Sequence, residues 1–152
     1  VKIFASFFLF SGLFALLAAT PAHAAQDLPF DVEIGEISRK NLQDYFQSAL
    51  GKVPGDVAIA PVDLNEDGLH EFIVRDKSCD SRKQSCDFKI LAENNDKIIL
   101  LGEIPAYNIA LGNAYSQGVR NILAFENAAN DYAYAVYVWE PLQSRYMMEN
   151  QR

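Results

Sequence analysis

The spacing of hydrophobic positions changes character along the chain, and each change marks an element. Residues 3–19 form a nearly unbroken apolar run. Over residues 25–37 the apolar positions are scattered among acids, Pro29 and Gly35 with no sustained period, which predicts an extended arm. From Ser38 the spacing becomes three and four. Leu42, Tyr45, Phe46, Ala49 and Leu50 share one face, and Arg39, Lys40, Gln43, Asp44 and Gln47 share the other. That period predicts one amphipathic helix with Ser38 as its cap and Gly51 as its stop, lying over a sheet with its polar face in solvent.

Beyond Pro54 and Gly55 the pattern shortens to β-type runs. Strands are predicted over residues 57–64 and 71–75, which pair around an acidic loop, and over residues 87–92 and 97–103, which pair across Glu93-Asn94-Asn95-Asp96. A further set falls at residues 108–111, 119–125, 132–139 and 145–148. In residues 132–139 both alternating sets are apolar, so that strand belongs in the middle of a sheet or under a second layer. The expected fold is mainly β with one N-terminal α-helix, an α+β chain with antiparallel sheets of about 7–8 strands. Placing Gly68 over Gly118 sets Leu69-His70-Glu71-Phe72-Ile73 over Val119-Arg120-Asn121-Ile122-Leu123, a short match that suggests two similar β units. In it Asp63, Asn65 and Asp67 fall opposite Asn113, Tyr115 and Gln117, so only the first unit carries acids.

The apolar run at the start has the form of an export signal. Lys2 precedes it, Ser11 and Gly12 interrupt it, and Thr20 and Pro21 lead into Ala22-His23-Ala24, a small-x-small cleavage pattern. The expected organisation is a signal peptide at 1–24, an extended arm at 25–37 and a single β-rich domain at 38–152. Cleavage leaves 128 of the 152 residues, enough for one core. It also removes Lys2 and no acid, which moves the net charge from −7 to −8. A negative chain is a poor partner for nucleic acid or an anionic membrane, and the position after the cut is Ala25 rather than a lipid-bearing cysteine, so no membrane anchor is expected after cleavage. A cationic protein partner suits the charge.

Export also decides the chemistry of the cysteines. Cys79 and Cys86 are separated by Asp80-Ser81-Arg82-Lys83-Gln84-Ser85, a polar stretch with nothing to bury, and in an oxidising compartment they are expected to form a disulfide. The spacing suits neither paired zinc knuckles nor a CxxC redox site, and His70 is the only histidine outside the signal.

The acidic loop carries the one motif with a metal-binding pattern. Asp63, Asn65 and Asp67 occupy alternate positions, Gly68 follows, and Glu71 comes just before Phe72-Ile73-Val74. Alternate oxygen side chains in a tight turn can converge on a hard cation, and glycine permits the bend that brings a later carboxylate round it. An EF-hand is excluded, because its twelfth position is Val74 rather than Glu and the flanks are β-type. The stretch resembles the calcium loop of FG-GAP and related VCBS-type repeats, in which D-x-D-x-D-G-x-x-D/E sits in a β-hairpin. That resemblance implies side-chain ligands at Asp63, Asn65, Asp67 and Glu71 and a backbone carbonyl from Leu69. Extracellular calcium modules typically bind with a Kd on the order of 0.1 to 1 mM, and at such affinity a structural Ca2+ is expected. The chain has room for two such units and not for a propeller of many. The bland reading of the same residues is a polar turn, which favours Asp, Asn and Gly for backbone reasons.

No GxSxG elbow or HExxH helix is present. The function expected is therefore non-enzymatic: a secreted or periplasmic binding protein that engages or inhibits a protein partner, by analogy with small inhibitor and immunity proteins. The alternative is a carbohydrate or cell-wall binding module, with Trp139 as a stacking platform, or a weak hydrolase working through a carboxylate pair.

Overall fold

The structure is a computed structural model that describes residues 25–30, 32–128 and 133–149. The predicted signal segment, residues 1–24, lies outside the described residues. Among those described, no helix is long and apolar enough to cross a membrane.

Among the described residues, two antiparallel sheets and one α-helix make up the fold. After the short strand β1 (Gln26–Asp27) come helix α1 (Glu36–Ala49) and a 3-10 turn at Pro54–Asp56. Four strands then run up and down in order, β2 (Val57–Val62), β3 (Glu71–Asp76), β4 (Cys86–Asn94) and β5 (Lys97–Ala106), and build the first sheet. The next four do the same in the second sheet: β6 (Asn108–Ser116), β7 (Val119–Phe125), β8 (Tyr134–Glu140) and β9 (Arg145–Met148), with β1 added beside β6. Among the described residues the count is nine strands rather than seven or eight, because the arm contributes β1, whose Gln26 and Asp27 pair with Leu111 and Ala110.

Tight turns set the register where the sequence supplies residues that tolerate positive φ. Asn95 and Asp96, at φ 50° and 62°, turn β4 into β5, and Gln117 and Gly118, at 55° and 79°, turn β6 into β7. Both are two-residue hairpin turns, a geometry that matches the twist of the flanking strands. The predicted four-residue connection at residues 93–96 thus shortens to two, since Glu93 and Asn94 remain in β4. The β2–β3 connection is different. It spans residues 63–70, whereas Asn113 and Tyr115, the counterparts of Asp63 and Asn65 in the suggested match, lie within β6.

The core lies between the sheets. Ala60, Ile73, Phe88, Ile90 and Ile104 from the first sheet meet Ile109, Leu111, Ile122, Ala124 and Tyr137 from the second, all buried. At Gly102 the two sheets come so close that a Cβ would stand 3.0 Å from Cβ of Tyr146, which is why β5 has no side chain there. Trp139 packs against this core and meets Tyr146 edge-on at 5.8 Å between ring centroids, a packing role rather than an exposed platform. Its strand, β8, sits between β7 and β9, as a strand apolar on both faces should.

Helix α1 covers the other face of the first sheet. Leu42 and Phe46, both fully buried, rest on Val57, Phe72, Val74 and Leu91. Each such side chain withdrawn from water contributes on the order of 2 kcal/mol, so the helix is held by its apolar face. Its end follows the expected signal: the N–H groups of Leu50 and Lys52 both donate to the Phe46 carbonyl, and Gly51 takes φ +60° to allow it. Its start does not. The helix begins at Glu36 with Gly35 at the N-cap and no side-chain cap, and Ser38 lies inside the first turn, where its hydroxyl donates to Glu93 at 2.7 Å instead. Asn41 donates to the same carboxylate, so Glu93 fixes the helix to the end of β4.

Candidate functional site

The acidic loop is anchored before it turns outward. Leu64, 1% exposed, plugs into the core between the sheets. Its N–H donates to Glu71 Oε2 at 2.8 Å, and its carbonyl accepts the N–H of Arg120, on β7 of the other sheet, at 2.7 Å. Beyond it the chain is exposed from Asn65 to His70 and passes through two left-handed residues, Glu66 at φ 59° and Gly68 at φ 83°.

The predicted donors fold back onto the loop's own amides. Asp63 Oδ2 accepts the N–H of Gly68 at 3.0 Å, Asp67 Oδ1 accepts that of Leu69 at 2.7 Å, and Asn65 Oδ1 accepts that of Asp67 at 3.2 Å. The Asn65 amide also donates to Asp67 Oδ2 at 2.9 Å. Side chains two residues apart in this pattern are Asx-type turns, the local reason that Asp and Asn suit the bend. Glu71 occupies the first position of β3 and is buried. Burial pushes its carboxyl pKa up; the Leu64 N–H works against that shift, and the Asp67 and Asp63 carboxylates add to it.

Among the described residues two buried side-chain oxygens lack a hydrogen-bond partner, Asn121 Oδ1 on β7 and, in the loop, Asp63 Oδ1. The twin oxygen of Asp63 caps the loop. A buried carboxylate oxygen left bare is costly, and a cation is the kind of group that relieves it. Among the described residues no three His, Cys, Asp or Glu side chains gather closely enough to hold a metal by themselves. The motif, however, draws on the Asn65 amide oxygen and the Leu69 carbonyl beside Asp63, Asp67 and Glu71. An oxygen-only set fits a hard ion such as Ca2+. A cleft of about 460 Å3 opens beside the loop, lined among others by Asn65, Asp67, His70, Glu71, Glu93 and Ile99. His70 itself is exposed.

Three residues that hold the loop carry no motif. Tyr115, on β6, donates its hydroxyl to the Glu66 carboxylate. Arg120 supplies the N–H to Leu64, and its guanidinium ties Gly112 and Gln26, donating from Nε to the Gly112 carbonyl at 3.0 Å and from Nη1 to Gln26 Oε1 at 3.0 Å. Tyr146 donates to the Arg120 carbonyl at 2.8 Å. Burial pushes its phenol pKa far up, with the nearby Glu71 carboxylate adding to the effect.

The cysteines form the expected disulfide. Cys79 and Cys86 are bonded with Cα atoms 5.9 Å apart, and the bridge joins the chain leaving β3 to the first residue of β4. Within the ring, the N–H groups of Lys83 and Gln84 donate to the Asp80 carbonyl at 2.9 and 3.2 Å. Asp80 pairs with Arg82 and Lys83, and the hydrogen bond from Arg82 chiefly holds its pKa down at about 2.

No family model matches the chain, and neither the curated proteins nor the solved structures yield a match.

Proposed function

We propose that the protein is a secreted or periplasmic, non-enzymatic binding protein whose β2–β3 loop carries a structural calcium ion. In this reading Asp63, Asn65, Asp67 and Glu71 hold the ion with the Leu69 carbonyl, as the resemblance to FG-GAP and VCBS-type loops implies. The observation that carries it is the buried, unpartnered Oδ1 of Asp63, in a loop that also sets the buried Glu71 against two further carboxylates. The ion supplies positive charge where carboxylates crowd. It exchanges their mutual repulsion for a fastening between β2 and β3, and adds on the order of 1 kcal/mol of stability at millimolar calcium.

The partner is a protein with a basic surface, engaged through strand edges and loops as inhibitor and immunity proteins engage theirs. The acidic net charge of −7 favours such an encounter. Pull-down from a periplasmic extract, set against a glycan and peptidoglycan binding screen, tests this part: retention on glycan with no protein captured would count against it.

The calcium part has a matched test. Wild-type protein is expected to melt higher in calcium than in chelator, with magnesium a poor substitute because its small octahedral shell is reluctant to lose water. Asp67→Ala should abolish the shift. Asp87→Asn makes the same charge change on an exposed position of β4 and should leave the shift intact. If both variants keep it, or both ions give it, the effect is screening of net charge and the loop is a polar turn.

A further inference from the structure

We infer that Tyr115 is a positioning residue for the calcium loop: from the opposite sheet it holds the loop in its ion-ready shape, so that ion binding is coupled to the packing of the two sheets. This rests on the calcium reading above. The loop bends through Glu66, which adopts φ 59°, a conformation that L residues other than glycine take at a cost. Glu66 stands between Asn65 and Asp67, two of the proposed ligands, so its backbone sets the direction of both. Nothing in its own hairpin holds its side chain. The hydrogen bond that does so comes from the Tyr115 hydroxyl, 49 residues away on β6.

A second tether acts at the base of the same loop. The Leu64 carbonyl accepts the Arg120 N–H, and Tyr115 and Arg120 are directly paired across the β6–β7 hairpin. One hairpin of the second sheet therefore grips the loop at two points, its base and its left-handed bend. The Glu66 carboxylate is occupied by the phenol and is not itself a donor to the ion. It acts through the backbone, and Tyr115 acts through it. A loop whose bend is already fixed loses less conformational freedom when the ion arrives, which is how a residue outside the coordination shell raises affinity.

The geometry separates this role from general stabilisation. Tyr115 is 44% exposed, so loss of its hydroxyl should leave the calcium-free fold nearly unchanged. Affinity should fall. Tyr115→Phe is expected to raise the calcium Kd about fivefold in isothermal titration, and Glu66→Gln, which keeps a neutral acceptor, by less. The melting temperature in chelator should match wild type for both. Terbium, used as a luminescent calcium probe, should bind wild type and report the same loss of affinity in competition with calcium.

If Tyr115→Phe binds calcium as wild type does, or if its melting temperature in chelator falls by as much as its calcium response, the positioning role is wrong while the calcium site stands. If wild type binds neither calcium nor terbium, the calcium reading itself fails and takes this inference with it.

Discussion

Two leucines flank the acidic loop, and they should respond very differently to the same substitution. Leu64 is 1% exposed and packs in the core between the sheets, whereas Leu69 is 68% exposed. Leu64→Ala removes buried carbons and leaves a cavity bordered by both sheets, which can close only if the sheets shift together. The expected cost is about 3 kcal/mol. For a domain of this size that corresponds to a fall in melting temperature of about 10 °C. Leu69→Ala should stay within about 0.5 kcal/mol of wild type, because its side chain is already in water. Both variants keep the main-chain bonds from residue 64 to Glu71 and Arg120, so the difference isolates packing from hydrogen bonding. Urea denaturation in chelator, followed through the fluorescence of the single tryptophan, Trp139, reads the core directly. Equal midpoints for Leu64→Ala and wild type would mean that the loop is not plugged into the core, and that its donors are not held as described.

Three further outcomes follow from the structure. Replacing Cys79 and Cys86 by alanine should lower stability by about 2.5 kcal/mol, the chain-entropy value for so short a ring, and mass spectrometry of wild type should show no alkylatable thiol. Glu71→Gln should raise the melting temperature in chelator at pH 7 and remove the calcium response. The folded state raises the Glu71 pKa, so its ionisation opposes folding above that pKa, and the gain should shrink as pH falls through it; no gain at pH 7 would contradict the burial assigned to Glu71. Asp76 shows the opposite sign. Hydrogen bonds from Lys52 and Ser78 hold its pKa down at about 2, so its contribution is present above its unfolded value and is lost as pH falls toward 2. Asp76→Asn should lower stability at neutral pH, slightly because the pair is exposed, and the variant and wild type should converge as pH falls toward 2.

What the sequence determined by itself is whatever a few neighbouring residues decide. The helix period from Leu42 to Leu50, its stop at Gly51, the strand runs and the pairing of β2 with β3 and of β4 with β5 all depend on contacts within one turn or one hairpin. The disulfide belongs to the same class, because its ends are seven positions apart and the sequence holds two cysteines, which leaves each one partner. The spacing of the oxygen side chains at Asp63, Asn65, Asp67 and Glu71 is legible for that reason too.

Tertiary structure decided the rest. Ser38 has the chemistry of a cap, yet its hydroxyl goes to Glu93, 55 residues away, because packing of Phe46 and Leu42 brings the helix over β4 and Gly35 serves as the N-cap. The arm at residues 25–37 has no strand period, yet Gln26 and Asp27 find the open edge of β6. The burial of Glu71, the bare oxygen of Asp63 and the grip of Tyr115 and Arg120 on the loop exist only once the second sheet closes over the first. Local patterns fix which groups a segment can offer. Which of those offers is taken depends on surfaces that meet only when distant segments are packed, and that packing is driven by burial of apolar area, which has no direction and leaves no motif in the chain.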